Sequence, residues 1–197
     1  MVALVIIVLL LGILYGYNDL HFVDFIVNNE KYIFDFLIII VGFSIGMNKG
    51  VLSKMKQYGL KIFIVPLGII IGTILGGILC SFILNMDMNV TTAIACGMGW
   101  YSLSGLMLTN LTNATIGSIT FLSNLMREIL TYISVPILAR KTNYLTAIAP
   151  AGATSVDTTL PIISKCTDDE TTIFAVINGL ICSTLVSFLI EICFKIF

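Results

Sequence analysis

The sequence predicts an all-α integral membrane protein: a polytopic helix bundle of about seven segments, two of them broken or re-entrant. Of 197 residues, 58% are hydrophobic and only 11% are charged, and the mean hydropathy is +1.06. A soluble domain carries roughly a quarter charged residues, so these values exclude an ordinary soluble enzyme. The net charge of −1 gives no basic surface for nucleic acid. We expect a single transmembrane domain over residues 1–197, surrounded by lipid.

Apolar segments follow one another along the whole chain. A spanning helix needs roughly 17–25 residues, and its backbone groups must be paired within the segment, so each segment is predicted to be helical. The first segment has no basic residue ahead of it and no small-residue cleavage site behind it, which favours a retained helix. In chain order, the segments cover residues 2–17, 32–47, 62–84, 91–108, 115–139, 145–163 and 171–194.

Charged loops orient these helices. The loop between the second and third segments carries Lys49, Lys54, Lys56 and Lys61, while the preceding loop is mostly acidic. The positive-inside rule therefore places the lysine loop and the N-terminus in the cytoplasm. Arg140 and Lys141 obey the rule only if residues 91–108 enter the membrane and return, so a full crossing and a re-entrant segment both remain open.

Glycines repeat every four residues in three of the segments, at Gly12/Gly16, Gly42/Gly46 and Gly68/Gly72/Gly76. Small residues at this spacing let helix backbones approach closely in lipid. The pattern predicts a tightly packed bundle and says nothing about function.

Three stretches place polar groups where a plain apolar helix is expected. The first, residues 97–105, interrupts its segment with three glycines, two serines and two aromatic residues. Irregular backbone at membrane depth is tolerated where protein buries it or where it lines a cavity. The stretch is either a broken segment that lines a site or an interfacial aromatic anchor. Its candidate site residues are Trp100, Tyr101, Ser102 and Ser104.

The second stretch lies inside residues 115–139. Thr120, Asn124, Glu128 and Thr131 fall at helical spacing and form one polar stripe. Arg127 and Glu128 are adjacent in sequence, so they point about 100° apart and are poorly placed to pair with each other. Each is expected to have a partner on another helix, either in a structural ion pair or in a binding site.

The third stretch, residues 150–161, has two prolines around small and hydroxylic residues and one carboxylate, Asp157. Proline and glycine break helices, so two half-helices are predicted to meet near Gly152. Thr154-x-x-Asp157 matches a capping box, which would make Asp157 a helix cap. The alternative is an ion site at mid-membrane, with Thr154, Ser155 and Asp157 beside exposed half-helix ends.

Together, residues 99–105, 125–128 and 152–161 resemble the lysine exporter LysO family in motif, order and spacing. The resemblance implies an exporter of L-lysine and lysine analogues in the bacterial cytoplasmic membrane, built from inverted repeats. The family's intramembrane acidic residues fall on Glu128 and Asp157. Single-chain members have additional N-terminal segments, so the resemblance also implies a small, separately encoded membrane subunit that supplies them.

Lysine carries two ammonium groups and one carboxylate, so its site needs acids and a carboxylate ligand. Glu128 and Asp157 supply the acids, and Arg127 or a half-helix N-terminus near residues 154–157 supplies the ligand. A proton and the substrate cation exclude each other on such acids, which predicts proton-coupled antiport without a cofactor. The alternative is another ion-coupled carrier, for a different amino acid or for monovalent cation/proton exchange. An intramembrane enzyme is disfavoured, because the sequence has neither HExxH nor GxSxG.

Overall fold

The computed structural model describes residues 7, 10–12, 14, 15, 36, 39 and 59–196, without the side chains of residues 60 and 61. The chain divides into two compact units, residues 1–49 and 50–197. In the first unit the described residues are helical. The lysine loop lies almost wholly outside the described residues. The prediction that the N-terminus is cytoplasmic depends on this loop and therefore stays a prediction.

Between residues 59 and 196 the structure is built from helices and contains no strand, which confirms the all-α prediction for this part of the chain. Two short 3₁₀ helices, Gly59–Phe63 and Gly152–Val156, accompany the α-helices. The α-helices are α1 (Ile64–Leu84), α2 (Met88–Ala95), α3 (Tyr101–Leu111), α4 (Ala114–Lys141), α5 (Tyr144–Ile148), α6 (Leu160–Cys166) and α7 (Asp169–Ile196).

Among the described residues, α1 and α7 are long and apolar enough to cross a membrane. Only 22% of the most apolar stretch of α1 is buried inside the protein, and 44% of that of α7. The core helix of a soluble protein would bury most of this surface. The exposed apolar side chains of α1, such as Ile71, Leu79 and Ile83, therefore suit a lipid environment.

Both predicted helix breaks are present. The segment at residues 91–108 consists of α2 and α3, separated by a turn at residues 96–99. The segment at residues 145–163 consists of α5, the second 3₁₀ helix and α6. The backbone is left-handed at Met98 (φ 47°), Gly99 (φ 93°) and Gly152 (φ 57°), a conformation that glycine adopts at little cost.

Close helix packing occurs at glycines other than those of the four-residue pattern. No described atom lies within 4 Å of a Cβ built on Gly68, Gly72 or Gly76, so the predicted packing through this stripe is not found in the described part. A Cβ on Gly77 would instead lie 2.6 Å from Thr92 Cα, where α1 packs against α2. Glycines spaced by four residues lie on one face of a helix. Which glycine makes the close contact depends on where the neighbouring helix crosses that face.

An apolar core joins the second half of the described fold. It contains Val135 of α4, Ile148 of α5, Ile163 of α6 and Ile177 of α7, each fully buried. This core fixes the second helix break against the long helices α4 and α7.

Candidate functional site

Asn124 of α4 holds the first helix break. The backbone N–H of Gly99 donates to Asn124 Oδ1 at 2.8 Å, and Asn124 Nδ2 donates to the Ile94 carbonyl at 3.0 Å. A Cβ on Gly97 would lie 2.6 Å from Asn124 Nδ2, so the backbone can come this close only at a glycine. The asparagine thus supplies the acceptor for the Gly99 N–H and adds a donor to the Ile94 carbonyl, which also accepts from the Gly97 N–H.

Asn178 of α7 holds the second break in the same manner. Its Nδ2 donates to the Gly152 carbonyl and to Ser155 Oγ, both at 3.0 Å. Ser155 Oγ also lies 2.8 Å from the Ala175 carbonyl, which ties the 3₁₀ turn to α7. Ser155 Oγ is thus placed between the Gly152 carbonyl, the Ala175 carbonyl and Asn178.

The two breaks touch each other. The backbone N–H of Ala153 donates to the Met98 carbonyl at 2.9 Å. A Cβ on Gly152 would lie 2.4 Å from the same carbonyl oxygen. The crossing of the two broken segments is therefore a backbone-to-backbone contact that only glycine allows.

Glu128 lies beside this crossing. The polar stripe of α4 is confirmed as a buried face, and the Glu128 side chain is only 2% exposed. Glu128 Oε2 and Thr158 Oγ1 are buried atoms that form no hydrogen bond of good geometry with a described residue, but the Thr158 hydroxyl lies close enough to affect the Glu128 carboxyl. A buried carboxylate without a cationic partner is costly, so Glu128 can take up a proton or a cation.

Asp157 and two tyrosines complete a cluster with Glu128. The two carboxyl groups interact electrostatically, and both act on the hydroxyl groups of Tyr101 and Tyr132. The Tyr132 hydroxyl donates to the Thr158 carbonyl, while the ring of Tyr101 contacts Phe121 edge-on at 5.1 Å between centroids. Glu128, Asp157, Tyr101, Tyr132 and Thr158 are called the carboxylate cluster below.

The capping-box interpretation of Asp157 is wrong. Thr154 lies inside the 3₁₀ helix and donates to the Ala151 carbonyl at 2.8 Å, and α6 begins at Leu160 without a side-chain cap. Asp157 is exposed, and its Oδ1 accepts from the N–H of Thr158. The carboxylate therefore remains accessible beside the buried Glu128.

Arg127 points to a different neighbourhood. Its Nε donates to the Pro150 carbonyl at 3.2 Å, and its Nη1 lies 3.4 Å from Thr73 Oγ1. It also lines a cavity of about 790 Å³ between α1, α4 and α5. As the sequence spacing predicts, Arg127 and Glu128 face different elements, and Arg127 has its partners on other helices.

The remaining candidates of the first stretch lie around the start of α3. Ser102 is exposed on α3, and Trp100 is half-buried at the residue before α3. Ser104 is buried and donates to the Trp100 carbonyl at 2.8 Å. None of these three interacts with the carboxylate cluster through a hydrogen bond between described residues.

Sequence reasoning missed Tyr132 and Thr158 and left the role of Asn178 open. Tyr132 lies four residues after Glu128, so helical spacing alone would have placed it on the same face. Thr158 follows Asp157 directly. Asn178 gave no such signal, because its role depends on a contact between segments 26 residues apart. No group of three metal-ligating side chains occurs among the described residues.

Comparison with known proteins gives one family. The family model described as "Lysine exporter LysO" matches residues 6–194. The chain is 33% identical to the lysine exporter LysO of Escherichia coli, over 93% of this chain and 60% of that protein. It is 32% identical to a putative lysine exporter of Haemophilus influenzae, over 89% of each. No solved structure matches the chain. The chain therefore belongs to the lysine exporter LysO family, a family of transporters and not of enzymes.

Proposed function

We propose that the chain exports L-lysine and lysine analogues across the bacterial cytoplasmic membrane by proton-coupled antiport. The observation that carries the proposal is the burial of Glu128, whose side chain is 2% exposed and whose Oε2 forms no hydrogen bond of good geometry with a described residue, within electrostatic range of the second carboxyl group, Asp157. The family name printed for the E. coli relative supports lysine as the substrate. The chain spans 60% of that relative, so the substrate is a proposal for this chain.

Glu128 and Asp157 bind the ammonium groups of lysine in this proposal. Ion pairs with carboxylates are strong when they are desolvated and hydrogen-bonded, and the Tyr101 and Tyr132 hydroxyls line the same cluster. The exposed Asp157 receives the cation first, and the buried Glu128 holds it at depth. Asn124, Thr154 and Ser155 keep the two breaks in shape, while Trp100, Ser102 and Ser104 flank the N-terminal end of α3.

Coupling follows from exclusion. Glu128 is stable at depth only when a proton or a cation neutralises it, and one carboxyl cannot hold both. A cycle in which lysine leaves and a proton enters therefore needs no separate gate for the proton. Expelling a net cation against an inside-negative potential costs about 2.3 kcal/mol per charge per 100 mV, which proton entry offsets.

The architecture proposed for this cycle is a multi-pass inverted repeat within a single transmembrane domain, with the N-terminus in the cytoplasm. Its support is a recurrence: Gly99 and Asn124 are 25 residues apart, Gly152 and Asn178 are 26 apart, and each pair is joined by a hydrogen bond. Both asparagines lie on helices of 28 residues. A small, separately encoded membrane subunit supplies the segments that the longer relative has in addition.

The test is efflux from proteoliposomes that contain the chain together with any such subunit. Preloaded, labelled lysine should leave faster when the outside is acidic, and counterflow should favour lysine over arginine and ornithine. Glu128→Gln and Asp157→Asn should each reduce efflux at least about tenfold. The matched control is Glu191→Gln, since Glu191 is exposed and 3.8 Å from Lys195. Intact efflux in both acid variants would refute the proposal.

A second candidate is a different ion-coupled carrier, for another amino acid or for monovalent cation/proton exchange. The oxygen-rich carboxylate cluster also suits a small cation. Proton release driven by Na⁺ or K⁺ without lysine would favour this candidate, and faster counterflow of another amino acid would identify a different substrate.

A further inference from the structure

The turn after α2 and the turn after α5 bring two helix C-terminal ends together. At such an end the last carbonyl groups have no intrahelical donor and carry partial negative charge. The Ala153–Met98 hydrogen bond holds the two breaks in contact. The turn N–H groups of Gly97, Met98 and Ala151 donate to carbonyl groups at these ends, and a cation beside the ends is stabilised by the partial negative charge that remains.

Arg127 lies where such a cation is stabilised. Its Nε binds the Pro150 carbonyl, two residues beyond the end of α5. Arg127 and Ala95, the last residue of α2, line the same cavity. Arg127 Nη2 would lie 3.3 Å from a Cβ on Gly152, at the crossing itself. Among the described residues no carboxylate forms an ion pair with Arg127, and its hydrogen bonds go to the Pro150 carbonyl and the Thr73 hydroxyl.

We propose that Arg127 is a positioning residue: its guanidinium is a built-in cation that neutralises the C-terminal ends of α2 and α5 and so holds the helix crossing. It does not bind the carboxylate of the substrate. The guanidinium carries several donors in a fixed planar fork, which lets it reach Pro150 and Thr73 at once. With the crossing fixed, Glu128 and Asp157 are left for the transported cation.

One arm of the test reads the crossing without transport. Cys96 Sγ and Cys193 Sγ are 3.6 Å apart, so a small shift brings them to bonding distance. In a background with Cys80 and Cys166 replaced by serine, copper-phenanthroline should cross-link this pair rapidly in the membrane-embedded wild type. Arg127→Gln should slow cross-linking at least about fivefold, while Arg127→Lys should keep most of the rate. The matched control is Arg140→Gln, at the exposed end of α4, which should change nothing.

The second arm depends on the proposed lysine transport. Arg127→Gln should lower the maximal efflux rate about tenfold and leave the KM for lysine within about threefold, and Arg127→Lys should restore much of the rate. In Arg127→Gln, inhibition by 1,5-diaminopentane, which is lysine without its carboxylate, should weaken by the same factor as inhibition by lysine. If Arg127→Gln raised the lysine KM tenfold and spared inhibition by the diamine, Arg127 would be a carboxylate ligand and the inference would be wrong.

The two arms separate failure of the inference from failure of the proposed function. A wild type that does not move lysine refutes the function, and the cross-linking arm still decides the role of Arg127. Should Arg127→Gln not accumulate in the membrane, Arg127→Lys carries the test. Gly152→Ala is expected to open the crossing and so to slow cross-linking. If Arg127→Lys cross-links as slowly as Gly152→Ala, the inference is wrong.

Discussion

Asn124 and Asn178 perform the same task in two places. Each projects from a 28-residue helix and donates its side-chain amide to the backbone of one helix break. The bonds are the same length, 3.0 Å. Each break is thus held by a hydrogen bond from an asparagine side-chain amide to a backbone carbonyl. The two breaks contact each other at the Met98 carbonyl.

Replacing either asparagine by alanine should destabilise the protein. Asn124→Ala leaves the Gly99 N–H without its partner and removes one of the donors to the Ile94 carbonyl, and an unsatisfied buried group costs about 1–3 kcal/mol. Thermal unfolding in detergent should show a lower midpoint for Asn124→Ala and Asn178→Ala. Asn110→Ala, on the exposed side of α3, is the control. Midpoints equal to that of the control would show that the amides do not hold the breaks.

Gly152→Ala should be far more harmful than Gly68→Ala. The new methyl group would meet the Met98 carbonyl at 2.4 Å, and the backbone at Gly152 is left-handed, where alanine is strained. At Gly68 no described atom lies within 4 Å, and alanine favours a helix by about 1 kcal/mol. The measurement is the fraction of each variant that resists thermal aggregation in membranes. If Gly152→Ala and Gly68→Ala lost the same fraction of aggregation-resistant protein, the close backbone contact at Gly152 would be contradicted.

Glu128→Gln should not destabilise the fold. In the proposed cycle the substrate-free Glu128 holds a proton, and glutamine is a neutral side chain of nearly the same shape, so the replacement buries no new charge. We therefore expect the unfolding midpoint at neutral pH to stay the same or rise while efflux is lost. Such an exchange of stability for activity is common at functional sites. A clear fall in the midpoint, larger than for Glu191→Gln, would make Glu128 a structural residue.

The start of α7 should depend on pH. Asp168 Oδ1 accepts from the N–H of Thr171 at 2.7 Å. Hydrogen bonding from the Thr171 hydroxyl, and secondly from this N–H, lowers the pKa of Asp168 below its ordinary value. Because the folded-state pKa is the lower one, the stabilisation is complete above the unfolded pKa of about 3.9. It is lost as the pH falls through the folded value.

Hydrogen exchange of the first turn of α7 measures this effect. Exchange, corrected for its intrinsic pH dependence, should accelerate at acidic pH in the wild type. In Asp168→Asn it should change less with pH. A turn that stays equally protected across this range would show that Asp168 does not cap the helix.

The sequence was sufficient to predict the helix breaks and the buried stripe on α4. Glycine and proline interrupt helices because of their own backbone conformations. The breaks at residues 96–99 and 150–156 could therefore be predicted from the residues of each stretch alone. The stripe of Thr120, Asn124, Glu128 and Thr131 is likewise a property of one helix. Polar side chains within membrane segments face the interior of the bundle and not the lipid, so a polar stripe on one helix predicts its buried face.

The partners across helices were not predictable in the same way. The role of Asn178 depends on the position of Gly152 in another element, and the close contact at Gly77 depends on where α1 meets α2. The four-residue glycine pattern selected Gly68, Gly72 and Gly76 because it registers small residues and not crossing points. Asp157 was open to two interpretations for a similar reason, since its neighbours come from α4.

The hydrogen bond between Ala153 and Met98 constrains how any carrier built on this fold can move. Pulling one broken segment away from the other would strand a donor and an acceptor in a dry interior, at a cost of about 1–3 kcal/mol for each group. A transport cycle of the kind proposed above avoids this cost if the pair stays together. We therefore expect the two interrupted segments to move as one unit, with the relative motion at the surfaces around them.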